Sequence, residues 1–149
     1  MNTFTVDGYT AIVRSDDAVF AKYGVPTEVP AALLDKITGE EFPVIFVTSG
    51  FSSLSLASQN AILTHEIGHI ACGHLDKYNE EGVLYDIPEL EAEADAWAAG
   101  RVGHDTFLES LDETVSILLT VLGSRVTSEM KEELFGLVSR RKELLQNYM

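Results

Sequence analysis

The sequence predicts an α+β fold, a small antiparallel sheet beside a bundle of helices, and three observations carry that class. Short runs rich in Val, Ile, Phe, Tyr and Thr occupy only the first third of the 149 residues. Stretches with helical periodicity fill the rest. No long Gly/Ser/Pro linker separates the two parts, so residues 1–149 read as one domain, large enough to bury a core.

Residues 3–6 and 9–13 read as strands joined by Asp7 and Gly8, a strong two-residue hairpin signal. An amphipathic stretch follows Ser15 over residues 16–23. Residues 30–37 read as a helix, with Pro30 near its start and Gly39 beyond its end. The clearest strand is 43–48 (Pro-Val-Ile-Phe-Val-Thr). Residues 57–72 lack proline and carry Ala61, Ile62, Leu63, Ile67, Ile70 and Ala71, so they form a helix, capped by Ser55 or Ser58 and ended by Gly73. Asp86 and Glu89 make a D-x-x-E capping box for a further helix, which Gly100 is placed to close. Helices over 106–122 and 128–147 complete the chain. The second carries an apolar stripe of Met130, Leu134, Leu137, Val138, Leu144 and Leu145, of the kind that faces a core.

Within the 57–72 helix stands His65-Glu66-Ile67-Gly68-His69. Residues four apart lie about 40° apart around a helix axis and one turn apart along it, so both imidazoles reach one ion. A catalytic zinc takes three protein ligands and leaves the fourth position to water, so His65 and His69 need one more partner. Glu66 projects off the ligand stripe, which suits a general base. A third histidine of the HExxHxxGxxH kind is out of register, because Gly73 and His74 each fall one place from the required position. The next acidic helix offers Glu91-Ala92-Glu93-Ala94-Asp95, in which Glu91 and Asp95 share a face. Glu91 is placed to ligate while Asp95 accepts a ring N–H from a ligand histidine. Glu93 is the reserve, since a small rotation of that helix exchanges the two.

HEIGHIACGH followed by EAEADAWAA resembles the gluzincins, zinc peptidases with HExxH on one helix and a glutamate ligand on a later one. Over residues 44–99 it is most similar to the ImmA/IrrE family of small cytoplasmic peptidases, and the ExxAD motif also occurs in membrane-bound HtpX-like peptidases. The resemblance implies a zincin-like fold with His65, His69 and Glu91 as zinc ligands and Glu66 as catalytic base. It further implies site-specific cleavage of a regulatory protein. The strand at 43–48 is then expected either to form the cleft rim and pair with extended substrate, or to lie in the core.

An oxyanion donor is also needed, and His104 is the first candidate, ahead of Tyr78 and Tyr85. His74 reads as a solvated histidine complementing the helix dipole, and Cys72 as a small hydrophobe on a buried face. With 10 Lys and Arg against 24 Asp and Glu, the formal charge is −14, which disfavours nucleic-acid binding. The acidic run of Asp76, Glu80, Glu81, Asp86 and Glu89 reads as a solvated loop or as an attractor of basic peptides. One cysteine permits no intrachain disulfide, and no leader or membrane-length apolar run is seen, so a cytoplasmic location is expected. The expected function is zinc-dependent endopeptidase on a protein or peptide substrate. Its rivals are a silent zinc-site protein acting as a binding or structural module, and a hydrolase of small amides or esters.

Overall fold

Asp7 and Gly8 both take positive φ, 51° and 85°, as a tight primed hairpin turn requires, and they join β1 (Thr3–Val6) to β2 (Tyr9–Ser15) in antiparallel register. The computed structural model describes residues 2–75 and 88–148. Tyr78, Tyr85, the acidic run from Asp76 to Asp86 and the Asp86 half of the capping box lie outside them. A short helix, α1 (Asp17–Ala21), follows β2 with Asp16 as its cap, the Asp16 carboxylate accepting from the Ala18 N–H.

The next element departs from the sequence expectation. Residues 30–37 form no helix; instead β3 (Ala32–Asp35) pairs antiparallel with β4 (Val44–Val47). Ala and Leu favour a helix locally, but Thr48 holds this segment extended. Its hydroxyl donates to the Val29 carbonyl at 2.7 Å and accepts the Ala31 N–H at 3.0 Å, while its own N–H donates to the Ala31 carbonyl at 3.1 Å. Gly50 adds to the clamp by donating to the Thr27 carbonyl at 2.7 Å, so closely that a Cβ there would lie 2.1 Å from the Glu28 oxygen. Tertiary pairing overrides a weak local preference here.

The sheet is therefore mixed rather than antiparallel. Its order is β1-β2-β4-β3, with β2 and β4 parallel, Ile12 opposite Val44 and Ser15 opposite Val47. β4 is paired on both sides, so it is a core strand; the two edge strands are β1 and β3. All four β4 residues are buried. Ile45 and Val47 pack with Ala11, Leu34, Phe51, Leu54 and Ile67 on one face, and Val44 and Phe46 pack with Ile12 and Phe20 on the other. A strand covered on both faces reads as a continuous apolar run, as Val-Ile-Phe-Val does.

A 3-10 turn over Ser49–Ser53 leads into α2 (Leu56–Ala71), which lays Ile67 on the sheet. Burying one such side chain contributes about 1.5 to 3 kcal/mol. Ser55 caps α2, and Glu113 from a later helix also accepts the Ser55 N–H at 2.6 Å. Gly73, at φ 78°, terminates the helix as expected. Helix α3 (Pro88–Val102) runs past Gly100, which is an ordinary exposed helical position; the break comes at Gly103, whose φ of 98° also starts α4 (His104–Leu122). Helix α5 (Ser128–Gln146) is capped by Thr127.

A second apolar cluster of Ala61, Ala98, Ala99, Phe107, Leu111 and Leu145 joins α2, α3, α4 and α5. Helices α2 and α3 cross closely, so that a Cβ on Gly68 would stand 3.0 Å from the Ala94 carbonyl oxygen. Of the stripe read on α5, only Leu145 is buried in the core. Leu134, Leu137, Val138 and Leu144 instead border a cavity. Among the described residues, no helix is long and apolar enough to cross a membrane.

Candidate metal centre

The tight α2–α3 crossing decides which acidic side chains meet the two imidazoles. Gly68 and Ala94 let the helices approach, and Glu91, one turn before Ala94, projects toward α2. His65 Nε2 and His69 Nε2 stand 3.2 Å apart, Glu91 Oε2 is 3.1 Å from the first, and Glu91 Oε1 is 3.4 Å from the second. Three donors of a tetrahedral ion with bonds of about 2.0 to 2.1 Å stand about 3.3 Å from one another. The two imidazoles stand near that spacing, each with a different oxygen of the Glu91 carboxylate beside it, and the three residues could hold a metal ion. Both histidines are buried, and Glu91 is only partly exposed.

The outer contacts hold these groups in place. His65 Nδ1 lies 2.8 Å from Asp95 Oδ1, an ion-pair distance, although its N–H is not aligned on the oxygen. Asp95 is buried and accepts two hydrogen bonds from Arg141, from Nε at 3.0 Å and from a terminal guanidinium nitrogen at 2.7 Å. Arg141 thus ties the C-terminal helix, through Asp95, to His65. Sequence reading missed it, since nothing local separates Arg141 from Arg140 or from any other surface arginine.

The electrostatics follow from this packing. Burial alone would lower the His65 pKa, but the Asp95 and Glu91 carboxylates outweigh it and raise it to about 10. Burial would raise the Glu91 carboxyl, yet the imidazoles beside it, His65 foremost, hold it far below the usual range. Asp95 is likewise depressed, by His65 and Arg141 against the effect of burial. Burial lowers His69. Glu66 is the opposite case: loss of water around its carboxyl, reinforced by the Glu91 charge and opposed by His65, pushes it up to about 7. A carboxylate poised there takes and returns protons near neutrality.

His65, Glu66, His69 and Glu91 line one part of a cavity of about 590 Å³. Residues 30–34, at the β3 edge, form one wall, and apolar side chains of α4 and α5 form another, with Arg140 and Arg141 among them. The strand beside the cavity is thus β3, while the 43–48 strand, which the sequence left open between rim and core, lies in the core.

His104 heads α4 and is not among the residues lining this cavity, so it does not join the group expected of it. Glu93 turns away from Glu91 and meets His74. His74, expected in solvent, is fully buried, because Gly73 folds the chain back and sets its ring against His69. Cys72, His74 and Glu93 form a second, wider group, their ligand atoms within 4.8 Å of one another. The Cys72 thiol is partly exposed, and burial together with the Glu93 charge raises its pKa, which disfavours the thiolate. No family model, curated protein or solved structure matches the chain.

Proposed function

We propose that this chain is a zinc-dependent endopeptidase of gluzincin type, with a zincin-like fold related to the ImmA/IrrE peptidases. The observation that carries the reading is the convergence of His65, His69 and Glu91 at 3.1 to 3.4 Å, with Glu66 beside them in the same cavity wall. Two imidazole nitrogens and a carboxylate are a donor set that zinc accepts, and an open fourth position distinguishes a catalytic site from a structural one. When bound, zinc would polarise the scissile carbonyl and make the attacking water more acidic.

The protein's own residues supply the rest. Glu66 takes the proton of the attacking water and delivers it to the leaving amine, a role suited to a carboxyl with a pKa of about 7. An extended peptide adds to the free edge of β3, so that main-chain hydrogen bonds align the scissile bond, while apolar side chains enter the space between α4 and α5. Arg141 borders the cavity, and Asp95 accepts only two of its five N–H groups, so it takes the oxyanion role in place of His104. Site-specific cleavage of a regulatory protein is the biological form of this reading.

The test is Glu66→Gln in zinc-loaded protein. The variant should bind zinc as the wild type does and lose cleavage of a peptide library by about 100-fold or more. Equal cleavage by the variant, or no cleavage by zinc-loaded wild type, overturns the proposal.

A further inference from the structure

We infer that His74 and Glu93 are positioning residues, a hydrogen-bonded relay that fixes the His69 ring in the tautomer a metal ligand needs. The inference rests on the metal reading of His65, His69 and Glu91, and it assigns a role to the buried histidine beyond that site.

The argument is one of donors and acceptors. A neutral imidazole carries one N–H and one lone pair, and an ionised carboxylate can only accept. His74 Nε2 lies 3.1 Å from Glu93 Oε2, so Nε2 carries the proton and donates it to the carboxylate. His74 Nδ1 is then the lone pair. It stands 2.9 Å from His69 Nδ1, so the hydrogen between them belongs to His69. His69 Nε2 is left with its lone pair, 3.2 Å from His65 Nε2 and 3.4 Å from Glu91 Oε1, at the focus of the three donors. A ligand histidine commonly donates its other N–H directly to a carboxylate or carbonyl. Here a second imidazole is inserted between ligand and carboxylate.

The backbone is built for this contact. Residues five apart on a regular helix point about 140° away from each other, so His74 would miss His69 if α2 continued. Gly73, at φ 78°, breaks the helix and folds the next residue back. The result is a His74 ring with no exposed surface, where water does not compete for either nitrogen. Glu93, two residues from Glu91, faces away from the metal focus and keeps 44 % of its side chain exposed, which explains why a third acidic residue so close to the site is no ligand.

The test combines the tautomer with metal affinity. In metal-free protein, the ring ¹⁵N shifts of His69 should report Nδ1–H. In His74→Leu they should move to Nε2–H or a mixture, and zinc Kd, measured by chelator competition, should rise about 10- to 100-fold. His74→Asn, whose amide oxygen replaces the Nδ1 acceptor, should recover most of that loss. Glu93→Ala leaves the buried ring in place, so it serves if His74→Leu does not fold; it should weaken zinc about 3- to 10-fold and mix the His69 tautomers. An Nε2–H tautomer in the wild type overturns the relay, as does a folded His74→Leu with zinc Kd within threefold of wild type. So does a second bound zinc that Cys72→Ser abolishes, since His74 would then serve a metal of its own. If wild type takes up no zinc, the peptidase reading fails, while the ¹⁵N shifts still decide the relay.

Discussion

Replacing Arg141 with leucine removes the α5 charge that is bonded to Asp95 beside the candidate metal site, and the consequence can be worked from the burial of its partner. The Asp95 side chain is 1 % exposed, and Arg141 gives it two hydrogen bonds at 2.7 and 3.0 Å. Removing one member of a buried ion pair costs about 3 to 5 kcal/mol, because the other charge is left without compensation. Two features reduce that here. Arg141 is 35 % exposed, so water enters part of the vacated space, and His65 still faces Asp95 at 2.8 Å. The expected loss is about 2 to 3 kcal/mol. Asp95→Asn should cost less, about 1 to 2 kcal/mol, since the guanidinium it abandons reaches solvent. The double variant should fall short of the sum by about 1 kcal/mol or more. Urea unfolding of metal-free protein measures all three, and a loss of 2 kcal/mol moves the midpoint by about 1 M when m is about 2 kcal/mol/M. An Arg141→Leu midpoint within about 0.25 M of wild type would refute the argument, because Asp95 would then have needed no compensation.

Gly68→Ala tests the helix crossing. Its Cβ would meet the Ala94 oxygen at 3.0 Å and the Ala94 Cα at 3.2 Å. Overpacking costs about 1 to 3 kcal/mol and better helix propensity returns about 1, so stability should change by less than about 2 kcal/mol. Zinc affinity should nevertheless fall at least tenfold, because Glu91 moves with α3; an unchanged Kd by chelator competition would show that the crossing does not set the ligand spacing. Protons supply another check. His65 is raised to about 10 in metal-free protein, so zinc uptake at pH 7.5 should release about one proton, and affinity should rise with pH up to about 10. Calorimetry in buffers of different ionisation enthalpy measures that release, and proton-neutral uptake would contradict it. The same group has a sign for stability without metal: its contribution is full below about pH 6.5 and is lost as pH climbs through 10. Asp95 and Glu91, both depressed, contribute above their ordinary pKa range and lose that contribution in acid. Metal-free protein should therefore melt highest between about pH 4.5 and 6.5 as far as this cluster decides it, and a melting temperature that climbs steadily from pH 6.5 to 10 would be evidence against the His65 assignment.

Sequence by itself determined what depends on neighbours along the chain. The helical period puts His65 and His69 on one stripe, and Glu91 and Asp95 on another, wherever those helices go. Ser55 and Gly73 bound α2 because a cap acts within a few residues, and Asp7-Gly8 turns the first hairpin for the same reason. Tertiary structure decided everything that depends on what lies across the molecule. Residues 32–35 are a strand because Thr48 and β4 claim their backbone, against the preference of Ala and Leu. β2 and β4 run parallel, a pairing that no adjacent turn announces. Glu91 rather than Glu93 meets the imidazoles because Gly68 and Ala94 set the rotation of one helix on the other. Arg141 reaches Asp95 across 46 residues of sequence, and His74 is buried by a fold-back that spacing alone reads as a solvated helix end. Local rules fix which groups share a face, but only packing brings two faces to one focus.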